Sequence, residues 1–223
     1  MKTIISSKIY LLALMVLFSI SCEKIVSGSE PNLSETLEPI EDVLLIPGGE
    51  NATIQVNSNH QTAYFNVLLS NISTNDLIGN GSKEAWCIDW TKPIETNNAT
   101  YNGIKLFSTD MVEKWKPVNY LLNISKNLRS SDPDLTWHEI QLAVWSLRAN
   151  PEFDLKAVAI EDLPSSFRTA DGQQNFDSQK VWDILAIVEA GYKDFDYSSG
   201  TKFAIIAETP VDVQTIFVVA EKK

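Results

Sequence analysis

The segment Thr136–Asn150, TWHEIQLAVWSLRAN, limits the possible folds of this chain more than any other. Thr136 followed three residues later by Glu139 forms a capping box, which satisfies backbone N–H groups that a helix start leaves open. The Asn150-Pro151 step ends the helix, because proline has no N–H and its ring clashes with the preceding turn. At 3.6 residues per turn, Trp137, Ile140, Val144 and Leu147 share one apolar face. Gln141 lies inside that face, with Trp137 and Trp145 four residues to either side. A primary amide buried there costs ~1–3 kcal/mol unless it is paired. The helix must therefore dock where a polar partner is available. The candidate is Cys87, in the short segment AWCID between Trp86 and Trp90.

Cysteine usage supports that choice. The chain has two cysteines. Residues 1–21 read as an export signal, with Lys2 and Lys8, the apolar run Ile9–Phe18, and small residues before Cys22. An apolar run of about ten residues is too short for a stable membrane span. Ser19-Ile20-Ser21-Cys22 resembles a lipobox, which would make Cys22 the lipidated N-terminus of a protein held in a bacterial cell envelope, exposed at the surface. Cys87 then remains alone in an exported chain, without a disulfide partner. A lone exported thiol is buried and inert, bridged to another molecule, or reactive.

Residues 22–45 form a lipidated acidic linker rich in Ser, Glu, Pro and Gly. Residues 46–223 form the folded domain, and 44% hydrophobic content with six tryptophans is enough for an ordinary core. Without the two lysines of residues 1–21, the 18 basic residues fall to 16 against 29 acidic ones, and the formal charge goes from −11 to −13. That charge argues against nucleic acid as a partner. No phosphate-binding loop or metal-ligand spacing is present in the sequence, so no cofactor or metal is expected. A monomer is expected.

Strand patterns appear at Val43–Ile46, Ala52–Val56, Thr62–Ser70 and Trp86–Trp90, with a loop over Asn71–Lys83. Helical patterning then occupies about 110–190. Asp110 with Glu113 can cap a first turn, and helices are expected over Pro117–Arg129, over the Gln141 segment and over Val181–Ala190, the last capped by Gly191. The stretch 152–176 reads as irregular. Strands Lys202–Glu208 and Thr215–Glu221 close the chain around a turn at Pro210. Strands, a helical insertion and strands again define an α+β fold.

The strings AWCID and IQLAVW resemble the thioester domains of bacterial surface adhesins, over roughly residues 51–223. The resemblance implies a β-sandwich or barrel-like subdomain carrying a helical insertion. It also implies that the Cys87 sulfur and the Gln141 side-chain carbonyl form an internal thioester with loss of ammonia, supported by burial among Trp86, Trp90, Trp137 and Trp145. An amine on a surface protein or other target, such as a lysine, would then attack the carbonyl. The result is a single-use covalent adhesin and not an enzyme.

Two other classes fit parts of the sequence. Cys87 with His138 or His60 as base would make a Cys–His hydrolase. Aromatic residues such as Trp115, Trp182 and Tyr101 would instead serve a non-covalent glycan- or protein-binding lipoprotein, although tryptophan at helical spacing is more often core.

Overall fold

Seven antiparallel strands form one sheet in the order β1-β5-β2-β3-β4-β7-β6, and β5 also pairs with β6, so the sheet closes into a barrel. The strands are β1 (Leu44–Leu45), β2 (Ala52–Ser58), β3 (Phe65–Ser70), β4 (Gly81–Cys87), β5 (Ala99–Ser108), β6 (Lys202–Glu208) and β7 (Ile216–Glu221). Three helices, α1 (Lys116–Ser131), α2 (Trp137–Arg148) and α3 (Ser178–Gly191), are inserted between β5 and β6. The architecture is α+β, a barrel with a helical insertion. This computed structural model describes residues 43–222. The expected export signal, Cys22 and nearly all of the expected acidic linker lie outside the described residues.

Register defines the two faces of the barrel. Phe65 pairs with Ala85, Ala85 with Val218, and Val218 with Ile205, so these residues share a face. Cys87 pairs with Ile216 and joins them, together with Val67, Leu69, Ile54 and Val56 of β2 and β3. All of these residues are buried and fill the interior. Enclosing each large apolar side chain contributes ~1.5–3 kcal/mol. By strand alternation Trp86 and Phe217 turn outward. They remain buried because the helices cover that side, where Trp115 meets Phe217 edge-on at 5.7 Å.

Several expectations from the sequence change in the structure. β4 begins at Gly81, inside the expected loop, and ends at Cys87, so Trp90 stands beyond the strand. β5 has no counterpart in the sequence reading. Most of its side chains are at least partly exposed, and its inward positions are Ile104, Leu106 and Ser108. Gly191 does not cap its helix in a left-handed conformation. It is the last helical residue, with φ −118°, and the chain continues into a 3-10 turn, Tyr192–Asp194. A side chain at 191 would collide with the Tyr120 ring, so close approach explains the glycine.

The capping box of α2 forms as expected and reaches further than one helix. Thr136 Oγ1 accepts from His138 N, and Glu139 Oε2 accepts from Thr136 N at 2.9 Å. The other oxygen, Glu139 Oε1, accepts from Asp177 N at 2.9 Å and so fixes the start of α3. We expect Thr136→Ala to cost ~1 kcal/mol in denaturant unfolding. Glu139→Ala should cost more, ~2–3 kcal/mol, because it removes the acceptor of part-buried hydrogen bonds at both helix starts. Equal losses for the two variants would contradict this shared role.

Candidate functional site

Cys87 is the last residue of β4 and is fully buried. Its backbone N–H donates to Gln141 Oε1 at 2.8 Å, and Gln141 Nε2 donates to the Cys87 carbonyl at 3.0 Å. The amide of Gln141 therefore behaves like one more residue of the sheet, pairing with the strand end in both directions. This reciprocal pair lets an amide sit on the apolar face of α2 without an unpaired group. The structure brings Cys87 and Gln141 together, but through the Cys87 backbone and not through its sulfur.

The sulfur meets a different glutamine. Cys87 Sγ donates to Gln214 Oε1 at 2.9 Å, and both residues are enclosed. Gln214 lies just before β7 and is held along its whole length. Its N–H donates to the Pro93 carbonyl at 2.9 Å, and its Nε2 donates to the Asp89 carbonyl at 2.6 Å. Thr209 Oγ1 lies 3.1 Å from the carbonyls of both Val213 and Gln214 and so ties the loop behind it. Gln214 had no signal in the sequence. In VDVQTIF it reads as an ordinary polar residue at a strand start, and only the fold carries it to Cys87, 127 residues away.

The turn after Cys87 is also ordered from within. Asp89 is fully buried, and its Oδ1 accepts from Thr91 N, Thr91 Oγ1 and Lys92 N at 2.9, 3.0 and 3.2 Å. Its Oδ2 lies 3.3 Å from Lys92 Nζ. Burial pushes the Cys87 thiol well above its usual pKa, and the negative charge of Asp89 adds to the shift. The sulfur is therefore held as a thiol that donates to an amide oxygen.

Aromatic side chains roof one side of the site. Tyr64 stacks on Trp137 with centroids 4.8 Å apart, and Trp145 and Phe167 meet Tyr64 edge-on at 6.3 and 5.7 Å. Burial, and then the neighbouring Cys87, raise the Tyr64 pKa. Of the four tryptophans read as supports, Trp137 and Trp145 lie in this roof. Trp90 donates to the Pro151 carbonyl at 2.9 Å and anchors the chain that follows α2. Trp86 faces away from Cys87, because successive strand side chains alternate.

Neither histidine is arranged as a base for Cys87. His138 uses both ring nitrogens, on Thr136 Oγ1 and on the Ser166 carbonyl, each at 2.9 Å. His60 stacks on Trp137 at 4.9 Å. Among the described residues no hydrogen bond joins either ring to the sulfur, so neither ring is placed to take its proton. The aromatics proposed for sugar stacking are also engaged elsewhere. Trp115 is core, Trp182 lies under Lys156 Nζ at 5.1 Å, and the Tyr101 hydroxyl accepts from Glu95 N at 3.0 Å. A cleft of about 310 Å³ leads to the site. Gln214, Lys92, Tyr64, His60 and Ser165 are among its lining residues.

No family model and no curated protein matches this chain. Among solved structures, the N-terminal thioester domain of a surface protein from Clostridium perfringens is similar, with a TM-score of 0.41 and 12% identity, over 78% of this chain and 98% of that one.

Two measurements check this geometry. Gln141→Ala leaves the Cys87 N–H and carbonyl buried and unpaired, and should lower stability by ~2–4 kcal/mol in denaturant unfolding. In Gln214→Ala the thiol has lost its partner but stays enclosed. Alkylation of the native variant at neutral pH should therefore run at least ~10-fold slower than alkylation of the urea-unfolded chain. Equal rates would mean that Cys87 is accessible.

Proposed function

We propose that this protein is a covalent surface binder whose reactive group is an internal thioester between Cys87 and Gln214. The observation that carries this reading is the 2.9 Å contact from Cys87 Sγ to the Gln214 amide oxygen, inside a site where the remaining polar atoms of that amide are already placed. The carbonyl carbon lies one bond beyond that oxygen. Holding sulfur and carbonyl together in this way replaces a bimolecular encounter with an intramolecular one. The thiol adds to the carbonyl carbon, the S–C bond forms, the C–N bond breaks, and the thiol proton leaves with the nitrogen as ammonia. A target amine, such as a lysine side chain, then enters by the cleft and attacks the same carbon. The C–S bond breaks, an amide joins Gln214 to the target, and the proton lost by the amine returns to sulfur.

The sequence pattern assigned the acyl role to Gln141. The hydrogen bonds favour Gln214 for that role, because the Gln141 amide is fully used on the Cys87 backbone. Gln141 then acts as a positioning residue that fixes the end of β4. The aromatic roof limits hydrolysis by excluding water. Since the acyl group ends on the partner bond, the reaction is used once and the protein does not turn over.

The test is an intact mass of residues 43–222 with Cys87 present. The wild type should be lighter than its sequence by one ammonia. Cys87→Ala and Gln214→Ala should each restore the full mass. Methylamine should add covalently to the wild type, and peptide mapping should place the tag on Gln214. A tag on Gln141 would return the acyl role to that residue, and a wild type of full mass that ignores methylamine would remove the thioester altogether.

The same reading places the protein at the bacterial cell surface, held by lipid on Cys22 through the linker. Cys22→Ala should move the protein from the membrane fraction to the soluble one. Unchanged fractionation would exclude this anchor.

A further inference from the structure

The buried ion pair beside the reacting amide has no structural need that the fold makes evident. Asp89 is fully enclosed, and its Oδ1 already has three donors that order the turn. A neutral side chain with the same oxygen, such as asparagine, would serve that turn equally well. Yet Oδ2 faces Lys92 Nζ at 3.3 Å, and that nitrogen is itself shut off from solvent. Among the described residues the ammonium makes no hydrogen bond, so it keeps N–H groups to spare. Enclosing both charges is costly unless the pair does something that a neutral pair cannot.

Its position gives the charge a use. The segment that carries the ion pair also grips Gln214, through the Asp89 carbonyl on Nε2 and the Pro93 carbonyl on the backbone N–H. Lys92 and Gln214 line the same cleft. When sulfur or an amine adds to the Gln214 carbonyl, negative charge develops on Oε1 of a residue that is almost fully buried. A fixed cation in such a place acts strongly on that charge. Asp89 alone would do the reverse, since a lone carboxylate near Cys87 opposes any negative charge there.

We propose that Lys92, oriented by Asp89, is the charge-stabilising residue of the acyl centre, and that it assists both thioester formation and transfer of the acyl group to the target. This rests on the Cys87–Gln214 thioester reading. No atom is transferred to or from Lys92. Its ammonium stabilises the tetrahedral adduct, while the bonds made and broken remain those between carbon, sulfur and nitrogen.

The experiment compares wild type, Lys92→Met and Lys92→Arg for thioester content by intact mass and for methylamine uptake over time, with folding checked by near-UV circular dichroism. Lys92→Met is expected to fold, to show a large loss of thioester, and to take up methylamine at least ~10-fold more slowly per thioester present. Lys92→Arg, which keeps a cation, should recover part of both. A folded Lys92→Met with wild-type thioester content and uptake overturns the proposal. So does a Lys92–Gln214 linked peptide in the wild type, because Lys92 would then be a nucleophile and not a stabiliser. If Lys92→Met does not fold, Asp89→Asn combined with Lys92→Gln removes both charges while keeping the polar contacts. That double variant should then show the same losses, and wild-type behaviour in it overturns the proposal. A wild type of full mass would instead remove the thioester, an outcome distinct from a thioester that forms and reacts without Lys92.

Discussion

The reciprocal hydrogen bonds between the Gln141 amide and the Cys87 backbone are what the rest of the arrangement depends on. A strand end exposes one N–H and one carbonyl that no neighbouring strand reaches, and a buried pair of this kind must be satisfied. Here the partner comes from a helix. This joins the helical insertion to the end of the barrel, and it does so through an atom pair that tolerates little displacement. Trp137 and Trp145 on either side of Gln141 then fall over the site, and Phe167, from the irregular segment after α2, packs against both at 5.2 and 5.1 Å.

The second constraint is the turn after Cys87. One carboxylate, Asp89, orders the next three residues, and the carbonyls of Asp89 and Pro93 receive the Gln214 side chain and backbone. Cys87 is thus approached from two directions by two glutamines. One glutamine is engaged by the Cys87 backbone. The other offers its carbonyl oxygen to the thiol. Similar residues in a similar environment separate by which atoms of cysteine they touch.

What could be read in the sequence followed from local rules. The capping box, the proline stop and the amide on an apolar face all act within a few residues, and together they located α2 and identified Gln141 as a residue needing a partner near Cys87. β6 also appears at its expected position, because its continuous apolar run is bounded by turn residues on both sides. The features that escaped depend on distant packing. β5 mixes Asn102, Gly103 and Lys105 with its inward residues, and its identity comes from pairing with β1, β2 and β6 at once. Gly191 resembles a helix cap because glycine favours such caps, yet its position is set by the ring of Tyr120. Gln214 carries no periodicity at all.

The place of Gln214 in the order of the chain has a consequence for timing. A growing chain exposes Cys87 early, when β4 can pair only with β3, and the barrel cannot close until β7 slots between β4 and β6. The contact between sulfur and Gln214 belongs to that last step, and its long sequence separation makes it entropically late as well. A chain halted before residue 214 would carry the thiol and the helical roof but no carbonyl for the thiol to meet. The partner of the buried thiol is thus supplied by the segment that leads into β7, so the site is complete only when the barrel is.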